Sequence, residues 1–450
     1  MKQIYTQAVV VGGGAGGFAA AYTLAKNNIK TILIERNSGL GGTSVFGGVN
    51  CWEPGVAQGE LHQIIQQKLS NTPNACAVCK TVDNSLLLHP NSESENDFTK
   101  YPWGLSVTDP DASYDQTLKR CLSLTGGLSK EWRRFQFEPE AMSKVMLELL
   151  EEYNEHLQLM FETEYISCTT TETRVKEITV RTKQEEYQIV ADYFIDSTGD
   201  IILARDAGCE VSIGTEEKTL YNEPSAGIKD EQCINGVTYV FRIRKSKNAE
   251  HIDEYIPSDK AISKMFISCF NMYPNGDINV NMLPTLNGRE YLMLGNDAKE
   301  VGIATVKKYW HLLQTEYGMK GWELVHIFPM AGVRESYRLV GKYVLTEHDI
   351  MLGAEKQNYD VDIATVADHM LDKHGEGGGG GEIETPYSIP ITCLEAKEYD
   401  NLFVACRGAS FSNIAASSAR LTRTMLGLGE AVGKEIKKRI EHDITISKNF

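Results

Sequence analysis

Gly12-Gly13-Gly14-Ala15-Gly16-Gly17 satisfies G-x-G-x-x-G between an apolar β-branched run, Ile4 to Val11, and an alanine-rich stretch, Phe18 to Lys26. The first run predicts a strand buried on both faces of a parallel sheet, and the second a helix of good propensity. Strand, tight turn and helix in that order make an anion site. Gly12 permits the turn, Gly14 lets the backbone approach a pyrophosphate, and Gly17 lets helix and strand pack closely. Ala15 and Gly16 complete the candidate contacts. Thr31 to Ile34 predicts a second strand that delivers Glu35 where an acidic side chain accepts hydrogen bonds from adenosine ribose hydroxyls.

A chain of 450 residues exceeds the size at which one core keeps growing, so two or three domains are expected. With 42% hydrophobic and 24% charged residues it reads as an ordinary globular protein. A formal charge of −16 repels phosphate backbones and anionic lipid, so neither nucleic acid nor a membrane surface is expected as partner. The one basic cluster, Lys434 to Arg439, is interleaved with Glu435 and reads as a solvated helix face. Residues 1 to 11 lack the features of a signal peptide, and the ten scattered cysteines lack disulfide-framework spacing. Both point to a cytoplasmic protein.

The glycine motif alone does not separate NAD from FAD. After Glu35-Arg36 comes Gly39-Leu40-Gly41-Gly42-Thr43-Ser44. An acidic residue, an Arg and a Gly-Gly-Thr turn in that order resemble the FAD-dependent oxidoreductases of the glutathione-reductase-like fold. Three further segments are similar to that family: Tyr193 to Asp200, an apolar strand ending in Thr198-Gly199-Asp200; Arg334-Glu335-Ser336-Tyr337-Arg338; and Asn401 to Gly408, a strand ending near Arg407. The resemblance implies FAD as cofactor. It implies that Arg36, Gly41, Gly42, Thr43, Thr198, Gly199, Asp200 and Arg407 contact it, and that a helix from about Ile414 to Arg439 directs its amino end, near Asn413, at the flavin N1–C2=O edge.

The fold class that follows is α/β. A Rossmann-like FAD/NAD(P)-binding domain, a parallel sheet with helices and a small antiparallel hairpin, spans 1–211 and 329–450 with an insertion at about 56–135. A mainly antiparallel α+β substrate domain is inserted at 212–328. Phe137 to Glu152 predicts a helix with Met142, Val145, Met146 and Leu149 on one face. Glu177 to Arg181 and Tyr187 to Ala191 predict the hairpin. Gly236 to Ile243 and Asp277 to Leu283 alternate as half-buried antiparallel strands, and Gly377 to Gly381 reads as a mobile loop.

Arg334, Glu335 and Arg338 are candidate catalytic residues, an arginine clamping a substrate carboxylate while Glu335 orients it or moves a proton. His374, in Asp372-Lys373-His374, is a candidate proton carrier by resemblance. Cys51 reads as a buried small hydrophobe, and Cys76-Ala77-Val78-Cys79 as a C-x-x-C spacing without a second pair, so no metal site is expected. The reaction implied is hydride transfer between flavin N5 and a small polar or anionic metabolite at an inter-domain cleft. An NAD-dependent dehydrogenase on the same fold and a flavin-binding sensory or structural module without turnover are the alternatives. The external electron donor or acceptor and the oligomeric state are left open.

Overall fold

The computed structural model describes residues 2–52, 59–80, 82–83, 133–226, 233–253, 267–273, 275–373 and 379–448. Its first three elements are β1 (Lys2–Val11), α1 (Ala15–Lys26) and β2 (Thr31–Ile34). The helix begins at Ala15, three residues before the expected start, so Gly16 and Gly17 lie inside its first turn. They can do so because contacts outweigh glycine's poor helix propensity: a Cβ at Gly17 would run into Gly12 O, and one at Gly16 into Ala405 O.

Seven strands form the main sheet. Leu157–Met160, β2, β1 and Glu186–Asp196 lie side by side and parallel. Glu186–Asp196 is long enough to serve two neighbours on its other edge. Its first half pairs antiparallel with Val175–Arg181, which pairs with Glu164–Thr170, and its last three residues pair parallel with Leu402–Val404. This is the expected parallel sheet with a hairpin. Ala8 to Val11, Ile32 to Ile34, Phe194, Ile195 and Leu402 to Val404 supply its buried centre. Pro139–Glu151 is a helix as expected, burying Met142, Val145, Met146 and Leu149, and Glu60–Ser70 adds Leu61, Ile65 and Leu69 to the same core. The final helix, Thr422–Lys448, lies along α1, with Gly429 and Gly433 against Gly16 and Thr23.

A second sheet runs Trp322–Ile327, Phe241–Lys245, Ile278–Leu283, Ile267–Met272 and Val82–Asp83, all antiparallel. One face buries Phe241, Ile243, Phe270, Ile278 and Val280 under Val306, Tyr309, Trp310 and Leu313 of the helix Ala298–Glu316. The opposite face is buried in part as well. Val240, Tyr273 and Phe328 bury there with Val49, Asn279 Nδ2 donates to Gly48 O at 2.7 Å, and Arg242 pairs with Glu138 and Asp277. Polar alternation here marks a buried polar seam, because Asn279, Arg242 and Asn271 have partners on the far side in Gly48, Glu138 and Gln136.

Three more expectations are corrected. Gly236 to Ile243 is two short strands, Val237–Thr238 and Phe241–Lys245. Gly379–Gly381 pairs antiparallel with Leu371–Lys373, so these glycines form a strand, and the rest of the run lies outside the described residues. Finally, the single helix over 414–439 is two, Asn413–Ser418 and Thr422–Lys448. Their junction is fastened by Ser418 Oγ donating to His369 O and by Arg420 to Asp372 at 2.6 Å.

Candidate cofactor and active site

The carboxyl ends of β1, β2, Glu186–Asp196 and Leu402–Val404 open on one side of the main sheet, where open α/β sheets take ligands. The glycines of the first turn separate into two kinds. Gly12 has φ +101°, and a Cβ on it would lie 2.6 Å from Ser197 O; Gly16 and Gly17 are equally hemmed in by backbone. Their bareness is needed by the protein itself. A Cβ on Gly14 would meet nothing within 4 Å. The chain has no packing use for that missing side chain, which leaves room at the amino end of α1 for something outside the chain. A pyrophosphate fits that cradle: it is anionic and faces the positive end of a twelve-residue helix.

Glu35 is buried beside the turn. Its Oε2 accepts from Gly13 N–H at 2.6 Å and its Oε1 from Asn37 N–H and Nδ2, which fix the carboxylate at the end of β2. Arg36 is exposed. Gly41 N–H donates to Gly13 O at 2.9 Å, and a Cβ on Gly42 would touch Gly14 Cα at 3.0 Å. The structure thus brings the Gly41-Gly42-Thr43 turn onto the first glycine turn. Ser44 Oγ lies 3.4 Å from Thr422 Oγ1, so the junction of the two last helices closes the same region.

Thr198, Gly199, Asp200 and Arg407 are also brought together. Asp196 is fully buried and accepts from Thr198 N–H, Thr198 Oγ1 and Ala204 N–H, bracing the turn. Burial raises its carboxyl pKa against those hydrogen bonds. Arg407 pairs with Asp200 at 2.7 Å, and Ser336 Oγ donates to the same carboxylate at 2.7 Å.

The Arg-Glu-Ser segment straddles the seam. Gly332–Val333 pairs with Val237–Thr238, while Tyr337–Leu339 pairs with Val211–Ile213 and Leu339 N–H reaches Gly408 O at 2.8 Å. Arg334 Nη1 donates to Gly236 O and Thr238 Oγ1 at 2.9 and 2.8 Å. Arg338 is only 1% exposed and gives all its donor groups to the protein: Nε to Phe411 O, Nη1 to Glu335, and Nη2 to Gly214 O and Glu216. Glu335, 2% exposed, also accepts from Asn235 N–H and from Asn413 Nδ2 at 2.7 Å. The backbone N–H of Asn413 donates to Glu216 Oε2 at 2.8 Å, so a carboxylate of the chain already takes the amide expected to face the flavin.

Sequence reasoning missed Glu216 and its neighbour Glu223. Glu223 accepts from Ser412 Oγ at 2.5 Å and from Glu347 N–H at 2.7 Å, and burial raises its pKa. Neither glutamate stands in a motif; only the fold places them beside residues some 120 to 200 positions away. His374 lies outside the described residues, as does the Cys79 side chain. Burial pushes the Cys76 thiol up to about 12, a thiol poorly suited to redox or metal chemistry. Among the described residues no group of three His, Cys, Asp or Glu is placed to hold a metal ion, and no helix is long and apolar enough to cross a membrane.

Two glycine turns packed on each other, a buried carboxylate at the end of β2 and a mostly parallel sheet whose strand ends open beside them make a Rossmann-like fold. The chain belongs to the FAD dependent oxidoreductase family, which it matches over residues 7–448, and it is an FAD-dependent enzyme. It is 43% identical over 48 residues to a 3-oxosteroid 1-dehydrogenase of Rhodococcus opacus, a match spanning 11% of this chain and 10% of that one. A dihydrolipoyl dehydrogenase of Buchnera aphidicola is 51% identical over 41 residues, 9% of each chain. The chain thus matches about a tenth of the length of these curated relatives. Among solved structures, a geranylgeranyl bacteriochlorophyll reductase-like protein of Thermoplasma acidophilum superposes with a TM-score of 0.50 at 12% identity, covering 98% of this chain and 80% of that chain. That likeness concerns the fold.

Proposed function

We propose that this enzyme oxidises or reduces a small polar or anionic metabolite at the seam between the two sheets, with FAD supplying the hydride acceptor or donor at its N5 atom. The observation that carries the reading is the double pairing of the Gly332–Leu339 segment. It hydrogen-bonds to the inserted sheet's region on one side and to the strands and loops around Gly408 on the other. Charged groups held at such a seam stand where a substrate would meet both parts of the chain. Residues 1–211 and 329–450 then form the cofactor-binding domain and 212–328 the substrate wall.

Arg334 is the residue we assign to a substrate carboxylate. It is half-buried and turned toward the inserted region by Gly236 and Thr238. Glu335 and Arg338 are spent on internal partners and serve as positioning residues. Gly14 would hold the pyrophosphate, Glu35 the ribose, and Gly42 and Thr43 the linker beyond it.

The test uses the purified FAD-bound enzyme under anaerobic conditions, challenged with hydroxy acids, amino acids, neutral polyols and apolar alcohols, with flavin absorbance followed at each addition. Bleaching by carboxylate-bearing compounds, with Arg334→Ala raising KM at least tenfold, supports the reading. Bleaching by apolar compounds alone, or an unchanged kcat/KM in Arg334→Ala, refutes it.

A further inference from the structure

Gly48 lies five residues beyond Thr43, and the second sheet holds it by two separate groups. Its carbonyl oxygen accepts from Asn279 Nδ2 at 2.7 Å, across 231 residues of chain. Its φ is +69°, and a Cβ there would lie 2.2 Å from the Phe328 ring, so the ring presses on the bare Cα. Phe328 is itself fixed to the sheet, its N–H donating to Val240 O at 2.9 Å.

The residues on either side of Gly48 both rest on Thr43. Val49 N–H donates to Thr43 O at 3.1 Å, and a Cβ on Gly47 would lie 2.8 Å from that oxygen and 3.1 Å from Thr43 Cα. These contacts are made by backbone, with no flexible side chain between. Thr43 stands in the short turn Gly42–Ser44, whose Gly42 packs against Gly14. A displacement at Gly48 is therefore handed on to Thr43 with little to absorb it.

The donor at the other end is firmly set. Asn279 is buried, and its Nδ2 donates to Tyr273 Oη at 3.0 Å as well as to Gly48 O. Both positions require an N–H, so the carboxamide has one orientation. The Tyr273 ring lies under the Arg242 guanidinium, 3.7 Å from its centre, and Arg242 is bonded in turn to Glu138 and Asp277. The opposite face of the same sheet fills its core with Phe241, Ile243 and Val280. A buried amide among apolar neighbours is costly unless its hydrogen bonds are made, and here one of them is given to a loop carbonyl.

We infer that Asn279 is a positioning residue for the cofactor: through Gly48 it sets Thr43 against the dinucleotide, and so couples FAD affinity to the order of the inserted sheet. The inference rests on the reading above in which Gly42 and Thr43 hold the linker beyond the pyrophosphate. Such coupling is reciprocal. Bound FAD must steady the strand Ile278–Leu283 as much as Asn279 steadies the turn.

The experiment compares wild type, Asn279→Leu, Val280→Ala and Gly14→Ala. Its readouts are the FAD dissociation constant, the melting temperature of the FAD-free protein, and amide hydrogen exchange in Ile278–Leu283 with and without FAD. Leucine keeps the volume and removes the donor. Val280 is the next residue, on the face under the helix Ala298–Glu316, and its truncation lowers stability without reaching Gly48. The expected result is that Asn279→Leu weakens FAD binding about 2- to 10-fold, the span of one hydrogen bond, and loses the slowing of exchange that FAD causes in wild type. Val280→Ala lowers the melting temperature and leaves the dissociation constant unchanged. Equal affinity in wild type and Asn279→Leu overturns the inference, as does equal weakening in Asn279→Leu and Val280→Ala. Should Asn279→Leu fail to fold, Phe328→Leu, which withdraws the ring from Gly48, decides by the same readouts. Gly14→Ala binding FAD as tightly as wild type would sink the reading of the cradle, a separate outcome from a neutral Asn279→Leu.

Discussion

The glycine turn at 12–17 and the charged segment at 334–338 solve the same problem, fixing the backbone where elements meet, in opposite ways. The turn works by omission: Gly12, Gly16 and Gly17 lack side chains because neighbouring backbone fills the space. The charged segment works by recruitment, drawing Glu216, Asn235 and Asn413 from 78 to 122 residues away onto Glu335 and Arg338. Omission is local and shows as spacing. Recruitment is long-range, and its partners carry no spacing at all.

The comparison can be broken first at Arg338. Removing it leaves Glu216 and Glu335 buried beside each other without their cation, so Arg338→Ala is expected to cost about 3–5 kcal/mol in urea unfolding. Arg334→Ala, four residues away and half-buried, is expected to cost less than about 1 kcal/mol while impairing turnover. Equal losses would show that the segment is not divided into positioning and substrate-facing halves. The glycine turn divides in the same way. Gly17→Ala forces backbone against backbone and is expected to destabilise by on the order of 3 kcal/mol. Gly14→Ala should leave the melting temperature of the FAD-free protein unchanged and weaken FAD binding more than tenfold, because its Cβ enters space the chain does not use.

The sequence made the nucleotide cradle legible because each of its residues answers to the next few along the chain. β2 matched its expected limits and the helix ending at Glu151 came close, while the packing of Gly41 and Gly42 on the first turn appeared only in the fold. The second sheet was legible in its strands but not in the partners of its polar face. Asn279 and Arg242 alternate with apolar residues as a solvated face would, yet they meet Gly48 and Glu138, and no periodicity separates water from a polar protein seam. The break after Ser418 was hidden for a related reason. No proline or glycine marks it, and it depends on His369 and Asp372 some 48 residues earlier. The partners that give Glu335 and Arg338 their buried roles were likewise visible only once folded.

Buried polar groups offer a further contrast, between Arg338, whose guanidinium nitrogens all donate, and His62, whose ring nitrogens have no partner among the described residues. His62 is 3% exposed, its ring lies 4.4 Å from that of Trp52, and neither ring nitrogen has a hydrogen-bond partner among the described residues. Burial, aided by the charge of Arg423, lowers its pKa from 6.5 to about 4. Below pH 6.5 the unfolded chain takes up a proton that the folded protein refuses until about pH 4. The stability this histidine contributes above that window is therefore lost as pH falls through it, by roughly 3 kcal/mol at most. His62→Phe should flatten that part of the stability profile relative to wild type. An unchanged slope would mean that His62 finds a partner in solution.

The smallest effects lie in the basic cluster near the carboxyl end, which the sequence presents as one solvated helix face and the structure divides. Lys437 pairs with Glu441 one turn on, both well exposed, so Lys437→Ala is expected to cost no more than about 0.5 kcal/mol. Two residues later, Arg439 is half-buried. Its guanidinium bonds Glu435 at 2.6 Å, Glu395 at 2.8 Å and Asp400 O at 2.9 Å, and sits 4.9 Å from the centre of the Phe403 ring. It thereby ties the final helix to the loop that enters the Leu402–Val404 strand. Arg439→Ala is expected to cost about 1–2 kcal/mol, since it removes packing on an aromatic ring together with a charge-assisted network. Measured side by side in urea, the two variants ask whether recruitment extends to the edge of the fold; equal and negligible losses would confine it to the seam.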